Sequence, residues 1–148
     1  YIFISFDLLI HDTWDGNING FEDDFPDSWT MDVNSNINLN KVDDMNFTTT
    51  FSNTPCDTDL CDWQSYPNQY PFISGPQNGR TGTAPGMCIW SDRTNGTSIY
   101  RITKTYEHKD NALLIDFYDR LYQPNAPSAK CDESWSMDNL MIRALIID

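Results

Sequence analysis

Residues 1–17 read YIFISFDLLIHDTWDGN, an apolar run that ends in a turn of acid, amide and glycine. Within residues 1–10, Ile2 and Ile4 fall on one side of an extended chain and Phe3 falls on the other. A strand that is apolar on both faces is typical of the centre of a sheet rather than of its edge. We therefore predict a central β-strand over 1–10, followed by a turn.

Three further segments have the composition or alternation of β-strands. The segment SWTMDVN places Trp29, Met31 and Val33 on one face, with polar residues between them. Residues 45–51, MNFTTTF, are β-branched and aromatic, and residues 97–108, TSIYRITKTYEH, alternate throughout. Each of these segments predicts a strand.

Three patterns are less regular. Ile37 and Leu39 continue the pattern of the second strand after a turn at residues 34–36. The run ALLIDFYDRL, residues 112–121, fits both a strand and a helix, and we assign it as a strand because it is short and its neighbours are strands. The last run, 137–147, predicts a final strand with a bulge at residues 143–144.

Between these strands, residues 52–96 change character and carry most of the prolines and glycines. We predict a long irregular insertion there, because loops of this length are usually functional or cross-linked. The whole chain of 148 residues fits one domain, 1–148. Seven to nine strands and no convincing helix predict an all-β fold, an antiparallel β-sandwich of jelly-roll type with a disulfide-stapled insertion.

Charge limits the possible partners. The chain has 9 Lys plus Arg against 22 Asp plus Glu, a formal charge of −13. A field of this sign repels phosphate backbones, so we expect neither nucleic acid nor an anionic membrane as a partner. Simple solubility, divalent cation binding and a cationic partner are the three interpretations that remain. No apolar run reaches the ~18 residues of a membrane span, so we expect no membrane insertion.

Four cysteines, an even number, favour two disulfides and an oxidising, extracellular compartment. A zinc site is the alternative, but the chain has no C-x-x-C pair and both histidines lie far from any cysteine in sequence. We predict the pairs Cys56–Cys61 and Cys88–Cys131, the first closing a short polar loop. Glycosylation sequons occur at Asn46 and Asn95; chance alone gives about two, so they are compatible with secretion without arguing for it.

Two acidic clusters flank tryptophans near the two ends of the chain. DTWDGN offers Asp12, Asp15 and Asn17, and DESWSMDN offers Glu133 and Asp138. If the first and last strands are neighbours, both clusters lie at the same end of the sandwich, and a bound cation would offset their repulsion. We predict a calcium site with these five residues as ligands. The alternative is an Asx-rich turn that caps its own backbone. Asp132 and Asn139 are reserve ligands.

These motifs resemble those of a β-sandwich module found in extracellular surface, matrix and flagellar-appendage proteins of protists. The first motif of that family matches here at Asp12, Trp14, Asp15 and Gly16, and the second at Glu133, Ser134, Trp135, Asp138 and Asn139. The closing strand is also similar to that of MAM-like jelly rolls. Asn17 departs from the family, which has Glu there, and so does Ser136-Met137, where it has Gly-Ile. The resemblance implies the fold and an extracellular setting, and no reaction.

Three function classes follow. No nucleophile, metalloprotease or phosphate-loop motif is present, and His11 is interpreted as a surface or capping residue, so an enzyme is not expected, with a glycoside hydrolase as the remote alternative. We expect a structural or adhesive module of a surface protein or filament, binding other modules or copies of itself. The alternative is a carbohydrate-binding module that stacks sugars, or glycans of a partner, on exposed loop aromatics. The candidate aromatics are Trp63, Tyr66, Tyr70 and Trp90, for which packing over the core is the competing interpretation.

Overall fold

The computed structural model describes residues 1–17, 26–34, 45–53, 63–121 and 133–146. Within these ranges the chain forms seven β-strands and no helix, which confirms the all-β prediction. Accordingly, no helix there has the length and apolar character that a membrane crossing requires. The strands are β1 (Ile2–Asp12), β2 (Ser28–Asn34), β3 (Met45–Thr50), β4 (Gly82–Ala84), β5 (Thr97–Tyr106), β6 (Leu114–Arg120) and β7 (Glu133–Ala144).

The strands form two antiparallel sheets that pack together as a sandwich. One sheet has the order β4-β5-β1-β7 and the other has the order β3-β2-β6. β1 lies between β5 and β7, as its two-sided apolar pattern predicts. Its pairing with β7 runs from Ile2 opposite Ala144 to Asp12 opposite Glu133. The first and last strands are therefore neighbours along their whole length.

The core lies between the sheets. Alternate residues of β1 point inward, and Ile4, Phe6, Leu8 and Ile10 are fully buried. Phe6 packs against Trp29 of the opposite sheet, with ring centroids 5.7 Å apart. Each such side chain contributes roughly 1.5–3 kcal/mol through burial, so this row adds substantially to the cohesion between the sheets.

One side of the sandwich is closed by the segment that follows residue 63. The backbone N–H groups of Tyr66 and Tyr70 donate to the carbonyls of Thr50 and Thr48, at 3.2 and 2.9 Å. These bonds cover the free edge of β3, and the Tyr66 ring packs on Phe51 at 5.1 Å. The segment protects an edge that would otherwise be open to pairing with another chain.

The insertion is less irregular than its composition predicts. It contains the short strand β4, which pairs with β5 at the outer edge of the sheet. Three residues are too few to show periodicity, so no sequence pattern predicts this strand. Residues 54–62 of the predicted insertion lie outside the described residues, as do Ile37, Leu39 and residue 147 of the predicted strands.

β7 differs from its prediction in two ways. It begins at Glu133 rather than at residue 137, because the polar start of β7 pairs with the polar end of β1. The predicted bulge at residues 143–144 is wrong. The register shifts instead between Asp138 and Met141, where Asn139 adopts a φ of 55°. An Asn tolerates this left-handed conformation better than most residues, which explains the position of the bulge.

Cys88 is the only cysteine within the described residues, and it is partly buried. The predicted partners and pairs involve Cys56, Cys61 and Cys131, which lie outside them. The two disulfides therefore stay predictions.

Candidate metal centre

Three carboxylates meet at one end of the sandwich. One oxygen from each of Asp15, Asp27 and Glu133 lies within 4.8 Å of the others. Asp27 is 5 % exposed and Glu133 is 2 % exposed, whereas Asp15 is partly exposed. The group is thus mostly inside the protein, with one side closer to solvent.

The topology explains why these residues converge. Glu133 is the first residue of β7 and lies opposite Asp12, the last residue of β1. Asp15 follows β1 by three residues, and Asp27 directly precedes β2. Since β1 and β7 belong to one sheet and β2 to the other, the cluster joins the two sheets at this end.

The turn after β1 fixes Asp15 in place. The backbone N–H of Asp15 donates to Asp27 Oδ2 at 3.1 Å, which ties the end of one strand to the start of the next. Gly16 has a φ of 69°, and a Cβ there would collide with the carbonyl oxygen of Trp63. Only glycine suits both this backbone conformation and the close approach of the Trp63 carbonyl, so the turn requires Gly16 directly after Asp15.

Trp14 directly precedes Asp15 in the turn after β1. Its side chain is fully buried, its Nε1–H donates to the carbonyl of Ser134 at 3.0 Å, and its ring meets Phe51 edge-on. The bond links the turn after β1 to the first residues of β7. Trp135, the second tryptophan of the motifs, packs instead against Trp29 in the core and donates to Asp119.

Two of the five predicted ligands, Asp15 and Glu133, are brought together. Asp12 is not part of the cluster. Its buried carboxylate accepts backbone N–H groups from Met87, Cys88 and Trp90, at 3.1–3.3 Å. These bonds attach residues 87–90 to the end of β1 and occupy the oxygens that the sequence suggested for the ion.

Asn17 and Asp138 also lie outside the cluster. The side-chain oxygen of Asn17 accepts hydrogen bonds from the hydroxyls of Thr50 and Ser65. Asp138 is exposed, sits at the bulge of β7, and accepts the N–H of Asn139 at 2.7 Å. The reserve ligand Asn139 donates to Asp7, and the other reserve, Asp132, lies outside the described residues.

Asp27 is the member of the cluster that the sequence did not single out. It follows an acidic, proline-containing stretch that reads as a loop. Its position immediately before the alternation of β2 was the available signal. In an antiparallel sandwich, the end of β1 and the start of β2 lie at the same end.

The donor set favours a hard cation. At an effective dielectric constant of about 20, two carboxylates 4.8 Å apart repel by roughly 3 kcal/mol. A divalent cation among them would replace this repulsion by attraction. The cluster contains neither histidine nor cysteine, and oxygen-only sets suit Ca²⁺ or Mg²⁺ rather than zinc.

The four candidate sugar-binding aromatics divide into two pairs. Tyr66 and Trp90 are buried, Tyr66 in the core and Trp90 beneath the Arg93 guanidinium, so neither presents a face to a sugar ring. For these two residues the packing interpretation holds. Trp63 and Tyr70 are 51 % and 41 % exposed.

Both sequon asparagines, Asn46 and Asn95, are exposed, and the Asn46 amide donates to Asp32. Their glycosylation stays a prediction. Comparison of the chain with protein-family models, with curated proteins and with solved structures finds no match.

Proposed function

We propose that this chain is an extracellular structural or adhesive β-sandwich module, without catalytic activity, whose two sheets are held together at one end by a calcium ion. The observation that carries the proposal is the convergence of Asp15, Asp27 and Glu133 from both sheets. The motifs at both ends of the chain, with their resemblance to extracellular modules of protists, support the setting.

Calcium suits this cluster better than magnesium. Calcium binds oxygens at about 2.3–2.6 Å, so two of its ligands can lie up to about 5 Å apart, whereas ligands of magnesium at about 2.1 Å lie closer. Oxygens that lie within 4.8 Å of one another can therefore reach one calcium ion with little movement. Calcium also tolerates the irregular geometry that separate chain segments supply.

Burial of the cluster supports a non-catalytic role. A glycoside hydrolase needs its two carboxylates at a cleft that a sugar chain can enter. Asp27 and Glu133 are almost completely buried, so a polysaccharide could not reach them. An ion, which is much smaller, could enter beside the partly exposed Asp15.

Thermal unfolding with and without calcium tests the proposal. A ligand that binds only the folded state adds RT ln(1 + [L]/Kd), about 2.7 kcal/mol at a hundredfold excess over Kd. We expect calcium to raise Tm relative to a chelator, and the variant Asp27→Asn to lose most of this increment.

Asp138→Asn is the matched control, because it removes a carboxylate that the sequence suggested and the structure places elsewhere. It should keep the full increment. Equal Tm values for the native protein in calcium and in chelator would refute the calcium part of the proposal.

The partners are proposed to be other protein modules or copies of this chain, in a filament or at a cell surface. Large exposed apolar side chains near the end of β7 support this. Their exposed fractions lie between 46 % and 89 %, and they belong to Leu140, Ile142, Leu145 and Ile146. β7 is also an edge strand. Sedimentation over a range of concentrations tests it, and Ile142→Lys should reduce any self-association.

Carbohydrate binding is the second candidate, favoured by the exposure of Trp63 and Tyr70. Sugar rings stack on such faces. A glycan array with Trp63→Ala and Tyr70→Ala compared with the native protein tests it. Binding that survives both substitutions would exclude these two rings as the platform.

The disulfide Cys88–Cys131 also belongs to the proposal. The N–H of Cys88 reaches Asp12, which lies opposite Glu133, and Cys131 precedes Glu133 by two residues in sequence. Cys88 is thus tied to the end of the sandwich at which β7 begins, and Cys131 stands close to that strand in sequence. Peptide mapping without reduction tests the pairing.

A further inference from the structure

A buried hydroxyl belongs to Ser52, the residue that pairs with Asp15 of the cluster. Ser52 is fully buried, and its Oγ has no hydrogen-bond partner. Its backbone N–H is satisfied by Gln64 Oε1 at 3.0 Å, so only the hydroxyl is left over. Buried hydroxyls are nearly always hydrogen-bonded in folded proteins, and one that is not requires an explanation.

The pairing of the chain places this hydroxyl next to Asp15. Asp15 and Ser52 form an isolated antiparallel bridge. The N–H of Asn53 donates to the carbonyl of Trp14 at 2.9 Å, which makes Asp15 and Ser52 a pair of the non-hydrogen-bonded kind. In such pairs the Cα atoms approach to about 4.5 Å and both side chains project to the same side. Ser52 therefore points the same way as Asp15, whose carboxylate lies in the cluster.

We propose that Ser52 Oγ is a neutral ligand of the ion held by Asp15, Asp27 and Glu133. The inference rests on the proposed calcium site and deepens it. Calcium takes six to eight oxygens, including neutral ones, so three carboxylates leave room for a hydroxyl and for water. The ion then accounts for the hydroxyl that otherwise has no partner.

This ligand adds a fourth chain segment to the site. Ser52 follows β3, which lies at the far edge of the second sheet, whereas Asp27 precedes β2 at its centre. The ion would thus join the ends of β1, β2, β3 and β7. A neutral donor also limits the charge, because three carboxylates already exceed the charge of one divalent cation.

Calorimetry with Ca²⁺ alone, on the native protein and on Ser52→Ala, tests the affinity. We expect the variant to bind calcium about tenfold more weakly. In chelator its unfolding midpoint should not fall, because the hydroxyl has no partner to lose. Ser5→Ala is the matched control, since Ser5 is a buried serine of β1 whose side chain points away from the core. It should leave calcium affinity unchanged.

Europium luminescence gives a readout that a merely structural role would not move. Decay rates in H₂O and D₂O count the water molecules bound to the ion. Ser52→Ala should gain one bound water, and Ser5→Ala should gain none.

The outcomes separate the two proposals. Calcium binding by the native protein, together with unchanged affinity and water count in Ser52→Ala, overturns the assignment of Ser52 and leaves the calcium site standing. Calcium binding that is absent in the native protein overturns both. Weaker binding with one additional water supports both.

Discussion

Asp12 and Asp15, three residues apart, make different contacts because their surroundings differ. Asp12 meets three backbone N–H groups, which satisfy its charge within the protein. Asp15, three residues later, meets other carboxylates. Sequence spacing predicts both as ligands, because it shows only which residues carry oxygens. It does not show that backbone N–H groups of residues 87–90 donate to Asp12. Residue type alone therefore does not decide which aspartates join the carboxylate cluster.

Asp12→Asn should destabilise the protein without removing calcium binding. Asn tolerates the φ of 60° at this position, so the backbone can stay in place. The variant loses the charge assistance of three hydrogen bonds, and we expect a cost of about 2–4 kcal/mol. Urea unfolding in chelator measures this cost. Asp110→Asn, in an exposed turn, is the control, and an equal midpoint for both variants would contradict the role given to Asp12.

The interpretation of His11 as a surface or capping residue is wrong. This residue is buried, with Nδ1 2.9 Å from Thr97 Oγ1 and Nε2 2.8 Å from Ser136 Oγ. The Thr97 hydroxyl donates to the carbonyl of Pro85, so it accepts from Nδ1–H, and Nε2 accepts from Ser136. The neutral ring is thus fully satisfied between β5 and β7.

Burial lowers the pKa of His11 below its ordinary value of 6.5, although the charge of Asp12 opposes the shift. The unfolded chain therefore binds this proton first as pH falls. The contribution of His11 to the free energy of unfolding is complete above about pH 6.5. It decreases as the pH falls below that value, and it stops changing below the folded-state pKa. His11→Gln should lack this part of the pH dependence in urea unfolding between pH 7.5 and 5. If the free energy of unfolding changed with pH by the same slope in the variant and in the native protein, this role of His11 would be contradicted.

At the scale of elements, the sequence predicted strands best where one face is buried. β2 and β5 alternate because their inner residues meet the core, and β1 lies inside its sheet between β5 and β7, as its apolar run predicts. β4 is held by pairing with β5 alone, so nothing in its three residues marks it. The first residues of β7 look like a loop because they pair with the polar end of β1.

The bulge of β7 can be tested at Asn139. This residue has a φ of 55°, and its side chain donates to Asp7, which also binds Arg101. Asn139→Ala places a Cβ in a conformation that disfavours it and removes the bond, whereas Asn139→Gly only removes the bond. We expect Ala to be less stable than Gly by about 1 kcal/mol. Thermal unfolding measures the difference. A Tm of Asn139→Ala equal to or above that of Asn139→Gly would refute the strain at this position.

At the scale of the whole molecule, the two sides of the sandwich differ. The segment 63–80 closes the side of β3 and β5, while β6 and β7 end the two sheets on the other side. At one end, carboxylates from both sheets gather around a point where a cation would join them. The sequence predicts a cluster at this end because its first and last strands, β1 and β7, are neighbours. It missed Asp27, whose importance depends on how the second sheet packs over the first.

The most direct test of the central claim is an anomalous-difference map from crystals of the native protein grown with calcium. We expect one peak at about 2.3–2.6 Å from oxygens of Asp15, Asp27 and Glu133. A peak beside Asp138 and Asn139 instead, or none at this end of the sandwich at millimolar calcium, would contradict it.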